Sequence, residues 1–105
     1  MNEYVFITRV NPAPLTQDDI ATVRKGWDEL VEKWKAADHY QSGTPIVKPG
    51  FVVTANQSAA GAIEEDGQRV VSFMYINAED DAQAMELAAM VPVLPFGGSV
   101  EIRHR

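Results

Sequence analysis

An α+β fold of ferredoxin-like βαββαβ order is predicted for this chain of 105 residues, and three observations carry that prediction. Apolar residues recur at steps of three and four in two separate stretches, the pattern of helices that bury one stripe. Runs of β-branched and aromatic residues surround those stretches in the order strand, helix, strand, strand, helix, strand. The first and third strand runs are apolar at odd and even positions alike, as strands covered on both faces are. A chain of this length makes one domain, residues 1–105, with a single core.

Residues 3–9 (Glu-Tyr-Val-Phe-Ile-Thr-Arg) read as the first strand, closed by Asn11-Pro12-Ala13-Pro14. Thr16 is the expected N-cap of the first helix, with Asp18 and Asp19 in the turn where the helix dipole favours acids. Ile20, Val23, Trp27, Leu30, Val31, Trp34 and Ala37 then keep a helical period, so the helix runs from about residue 17 to 37. Gly26 weakens it by about 1 kcal/mol. Lys33 and Lys35 suit its last turn, and Glu29 is spaced to pair with Lys33.

Gly43, Pro45, Pro49 and Gly50 divide the next segment into two short strand pieces, 39–43 and 51–55, joined by a turn. Residues 56–67 read as a flexible loop that ends in the turn pair Asp66-Gly67. The third strand covers 69–77. Glu79, Asp80 and Asp81 open a second helix reaching Met90, with Ala82, Met85, Ala88 and Ala89 on its inner stripe. Pro92 and Pro95 stop it, Gly97-Gly98 make a turn, and Val100 and Ile102 alternate with Glu101 and Arg103 in an edge strand.

In this topology the first and third strands are central and both helices lie on one face of the sheet. The other face carries either Val5, Ile7, Val71, Phe73 and Tyr75 or the set of opposite parity. A monomer would leave that apolar patch in water. A second copy, sheet against sheet, is the economical cover, so a homodimer is expected.

Composition narrows the function classes. The net charge of −6 repels a phosphate backbone, and the nine Lys and Arg form no run longer than Arg24-Lys25 apart from the tail Arg103-His104-Arg105. Nucleic acid is not an expected partner. No cysteine is present, so thiol nucleophiles and thiolate metal sites drop out, and two distant histidines offer no metal-ligand spacing. No metal or cofactor is expected. No stretch approaches the roughly 18 apolar residues of a membrane span, and the start is unlike a signal peptide, so the cytoplasm is the expected compartment.

The stretch Met90-Val91-Pro92-Val93-Leu94-Pro95-Phe96-Gly97-Gly98-Ser99-Val100-Glu101-Ile102-Arg103 resembles the close of YCII-related proteins: a proline after the second helix, a Gly-Gly turn, then a Val-Glu-Ile-Arg strand. The opening Glu3-Tyr4-Val5-Phe6 is similar to that family too. So is the first helix, with Trp27, Trp34 and its exit through Ala36-Ala37-Asp38-His39 towards Gly43. The resemblance implies a dimeric α+β barrel. The chain departs from the family in two places. The Asp-Gly-Pro-Phe motif of many relatives is absent; the lone Asp-Gly here, Asp66-Gly67, is followed by Gln68. The first-helix histidine with which one branch pairs an aspartate falls near Gly26 or Trp27, where no histidine stands.

Among titratable residues, His39 follows the helix end beside Asp38, where an imidazolium is favoured and a general acid or base could work near neutral pH. The blander reading, and the one favoured, is a helix-end histidine satisfying a carbonyl. His104 is read as frayed. Trp27 and Trp34 could floor a ligand pocket or be plain core. Arg9 and Arg103 should be spatial neighbours able to hold a carboxylate or phosphate, with Tyr4 or Tyr75 adding a hydroxyl; solvated strand-end cations are the bland alternative. Two functions follow. One is binding or acid–base transformation of a small organic acid or aromatic in a helix–sheet cleft, with Asp38 and His39 catalytic and Arg9, Trp27, Tyr75 and Arg103 holding the ligand. The other is a non-catalytic regulatory or accessory dimerisation module.

Overall fold

The computed structural model describes residues 1–11, 15–46, 48, 50–65 and 67–105. Its strands are β1 (Asn2–Val10), β2 (Tyr40–Pro45), β3 (Phe51–Val53), β4 (Ser58–Ala60), β5 (Glu64–Glu65), β6 (Gln68–Ala78) and β7 (Ser99–His104). The helices are α1 (Gln17–Ala36) and α2 (Asp81–Ala88), with a short 3₁₀ turn at Leu94–Phe96. The main sheet is antiparallel in the order β2-β6-β1-β7, with β5 added to the start of β6. The two longest strands are therefore central. Among the described residues no helix is long and apolar enough to cross a membrane.

Parity divides the central strands between two environments. Tyr4, Phe6 and Thr8 of β1 and Met74, Ile76 and Ala78 of β6 are buried beneath the helices. Register places Tyr4 opposite Ile76 and Phe6 opposite Met74, so these residues form one continuous layer. The alternate positions Val5, Ile7, Phe73 and Tyr75 face the other way, and Phe73 and Tyr75 remain 38% and 39% exposed. The two-sided apolar pattern thus corresponds to one face under helices and one face open in the single chain.

Thr16 caps α1 through a reciprocal box with Asp19: the Asp19 N–H donates to Thr16 Oγ1 at 3.1 Å, and the Thr16 N–H donates to Asp19 Oδ2 at 3.4 Å. The helix is pinned by its C-terminal half. Leu30 and Trp34 are buried, and Trp34 meets Phe6 edge-on with ring centres 6.1 Å apart. Val23 and Trp27 are only half-buried, and Ile20 is exposed. Gly26 has a packing reason: a Cβ there would come within 2.8 Å of the Pro92 side chain. The glycine lets α1 approach the segment that follows α2.

Four details differ from the sequence expectations. The stretch 51–55 does not extend the second strand of the main sheet; Phe51–Val53 pairs with Ser58–Ala60 in a separate two-stranded ribbon. The expected loop 56–67 therefore contains β4 and β5, held by a turn in which the Thr54 N–H donates to the Gln57 carbonyl at 2.7 Å. The inner stripe of α2 is Ala84, Leu87 and Ala88, continued by Val91, while Met85 is 59% exposed. Asp80 caps this helix, and the alanine-rich segment offers two stripes, of which the one carrying Leu87 and Val91 buries more apolar surface. Glu29 lies 3.9 Å from Lys25, both largely exposed, in place of the expected Lys33. Pro12, Ala13 and Pro14 of the predicted stop, Pro49, and Asp66 of the predicted turn lie outside the described residues.

Trp34 is the keystone of the helix layer, so Trp34→Ala is expected to cost about 3–5 kcal/mol in urea unfolding. Its indole Nε1 is buried without a hydrogen-bond partner among the described residues. Trp34→Phe, which keeps an aromatic edge and removes that N–H, is expected to cost distinctly less.

Candidate functional site

His39 and Asp38 stand where α1 hands over to β2. Asp38 takes a positive φ of 60° to turn the chain, and the His39 N–H donates to the Trp34 carbonyl at 2.8 Å, closing the helix end. His39 Nδ1 lies 2.9 Å from the Asn77 carbonyl, while the Asn77 side chain donates to the Asp38 carbonyl at 3.3 Å. Both residues are thereby tied to the end of β6. Gln41 joins the same cluster through Asn77 Oδ1.

Arg9 and Arg103 do meet on adjacent strands, on the open face of the sheet. There they share one carboxylate, Glu101: Arg9 at 2.6 Å from Oε1 and Arg103 at 3.4 Å from Oε2. The anion that two neighbouring arginines call for is supplied by the chain itself. Tyr75 lies on this same face under the Arg105 guanidinium, 4.4 Å from the ring centre. Trp27 is on the opposite, helix side, packed against the core. The six sequence-selected residues are therefore distributed over two faces and the α1 exit, and do not form one constellation.

A different cluster is built at the seam between α2 and the sheet. Antiparallel pairing of β1 with β7 puts His104 directly opposite Tyr4, with ring centres 5.3 Å apart. The cap at Asp80 sets Asp81 in the first turn of α2, above that pair. Asp81 Oδ1 accepts the Tyr4 hydroxyl at 2.7 Å and lies 2.9 Å from His104 Nε2. Tyr4 is buried, whereas Asp81 and His104 are largely solvated. Hydrogen bonding to Asp81 raises the Tyr4 phenol above 10, with desolvation and the nearby carboxylate charge acting in the same direction. The hydrogen bond from His104, then that from Tyr4, lowers the Asp81 carboxyl below 3.8 against a smaller opposing effect of burial. A shared carboxylate between a phenol and an imidazole is acid–base equipment. His104, expected to be frayed, is in fact part of β7.

The space between helices and sheet is occupied over its centre by Trp34, Phe6, Met74 and Ile76. Further along β1, the Thr8 and Ser72 hydroxyls, directly opposite each other, are buried without partners among the described residues. No group of three His, Cys, Asp or Glu among the described residues is placed to hold a metal ion.

No family model and no curated protein matches the sequence. Among solved structures, the chain resembles 5-chloro-2-hydroxyhydroquinone dehydrochlorinase (TftG) from Burkholderia phenoliruptrix AC1100, solved in complex with 2,5-dihydroxybenzoquinone. The TM-score is 0.62 at 18% identity, over 98% of this chain and 92% of that one. The shared property is the fold.

The two pKa shifts set opposite limits on stability. The contribution of Asp81 is present above its ordinary value of 3.8 and is lost as pH falls through its lowered folded value. That of Tyr4 is present below 10 and is lost as pH rises through its raised folded value. Melting temperatures of the native chain and Asp81→Asn are expected to differ at pH 7 and to converge at the acid extreme. Curves that stay parallel would rule out the linkage.

Proposed function

We propose that this chain is a YCII-related, homodimeric α+β barrel protein that binds a small hydroxylated aromatic or organic acid and moves a proton on it. The observation that carries this reading is the single oxygen of Asp81 shared by Tyr4 and His104. Asp81 accepts from Nε2–H and fixes the imidazole tautomer, leaving Nδ1 as the base. That nitrogen takes a proton from a ligand hydroxyl or an activated carbon and returns it, while Asp81 stabilises the transient imidazolium. No redox group is needed. Tyr4, held neutral by its environment, offers an aromatic wall beside the imidazole.

Two further facts support the substrate class. The fold is shared with an enzyme whose ligand is a dihydroxylated quinone. The filled centre of the helix–sheet space argues for chemistry at the seam of β1, β7 and α2, where Tyr4, Asp81 and His104 meet, over an interior cleft. In this proposal His39 and Asp38 brace the α1 exit, Trp27 lines the helix side, and Arg9, Tyr75 and Arg103 belong to the pairing face.

The second reading, a non-catalytic dimerisation module, is favoured by that same filling of the cleft by Trp34 and Phe6. One experiment separates the two. Calorimetric titration with 2,5-dihydroxybenzoquinone is expected to show binding to the native chain and at least about tenfold weaker binding to His104→Gln. No binding, or equal binding by the variant, would leave the module.

A further inference from the structure

We infer that the β3–β4 ribbon is an arm by which one copy of this chain grips a second copy. This rests on the homodimer proposed above. The ribbon is a sheet of its own, separate from the main one. Its register sets Phe51 opposite Ala60 and Val53 opposite Ser58, so Phe51 and Val53 stand on one side, 81% and 74% exposed. Val52, on the other side, is half-buried. Ile63, just past the ribbon, is also 68% exposed. A lone two-stranded ribbon is marginal in water, and two exposed large apolar side chains on it, with a third just beyond, point to an additional contact.

The base of the arm is constructed as a narrow neck. The Gly61 N–H donates to the Gly50 carbonyl at 3.0 Å, joining the two ends. Gly61 takes φ +133°, a conformation open to glycine, and no atom lies within 4 Å of where a Cβ would stand at either residue. The arm can thus leave the body without steric cost. The molecule is flat, with principal extents of 43 × 36 × 20 Å.

The occupant is a second copy for two reasons. The same chain displays another unpartnered apolar surface, the open sheet face with Phe73 and Tyr75. An isologous pair can cover both surfaces with one contact, because each copy supplies an arm and a face. Charge points the same way. The segment leaving the arm begins Ile63-Glu64, whereas the open face and its edge carry Arg9, Arg103 and Arg105 against Glu3 and Glu101. Arg103 stays 69% exposed beside Glu101. For a chain of net charge −6, this face, with three arginines against two glutamates, is where a second copy meets the least repulsion. The same net charge opposes an anionic membrane or nucleic acid as occupant.

The test is sedimentation equilibrium of the full chain and of Phe51→Asp/Val53→Asp across the micromolar range. Both positions are solvated in the single chain, so the substitutions act on association and spare the fold, which far-ultraviolet circular dichroism verifies. The variant is expected to associate at least about tenfold more weakly than the native chain. If aspartates perturb the ribbon itself, Phe51→Ser/Val53→Ser is expected to show the same loss. A native dimer left unchanged by both variants would overturn the arm while keeping the pairing. A native chain that is monomeric throughout would overturn the pairing and the arm together.

Discussion

Two helices on the same side of a five-stranded sheet can cover only one of its faces, and most of this molecule follows from that constraint. β1 and β6 meet it by parity. Tyr4, Phe6, Met74 and Ile76 go under α1 and α2, and Val5, Ile7, Phe73 and Tyr75 are left on the far side. The helix side is closed by large aromatic residues, Trp34 against Phe6 above all, with Gly26 permitting the close approach to Pro92. The far side has apolar residues without a cover, and the placement of charge around it is correspondingly economical. Glu101 satisfies both Arg9 and Arg103, so few bare charges sit among the apolar groups.

The same packing decides where chemistry can occur. With the centre of the helix–sheet space filled, the polar groups are displaced to its edges. At the β2 edge, Asn77 ties Asp38 and His39 to the sheet, its carbonyl lying 2.9 Å from His39 Nδ1 and its side-chain amide donating to the Asp38 carbonyl. At the β7 edge, Tyr4, Asp81 and His104 come together on a single carboxylate oxygen. The second cluster differs from the first in being built around an ionisable acceptor with solvent access on the imidazole side. That asymmetry is why the proposed proton transfer is assigned there.

Much of the frame was legible in the sequence. The Thr16 cap, the period from Ile20 to Trp34 and the dense apolar run of β6 each state a local preference that the tertiary structure reinforces. The central pair of strands followed from their two-sided apolar pattern. The ribbon was less visible, because Phe51–Val53 and Ser58–Ala60 are three residues each and their pairing depends on a turn at Thr54–Gln57 with no Asn-Gly or Asp-Gly signal. The α2 stripe was ambiguous since its alanines fit two faces equally. The site was hardly legible at all. Tyr4, Asp81 and His104 are separated by 77 and 23 positions and carry no motif; only strand register unites them. The sequence makes Arg9 and Arg103 neighbours, but in it Glu101 is merely the polar alternate of an edge strand.

The central claim is that the open face of the sheet is closed by a second copy. Sedimentation equilibrium of the native chain at micromolar concentration tests it directly, since the chain mass is 11.6 kDa. A species of twice that mass, persisting at low micromolar concentration, is the expected result. A single species of the chain mass at every concentration would contradict the account.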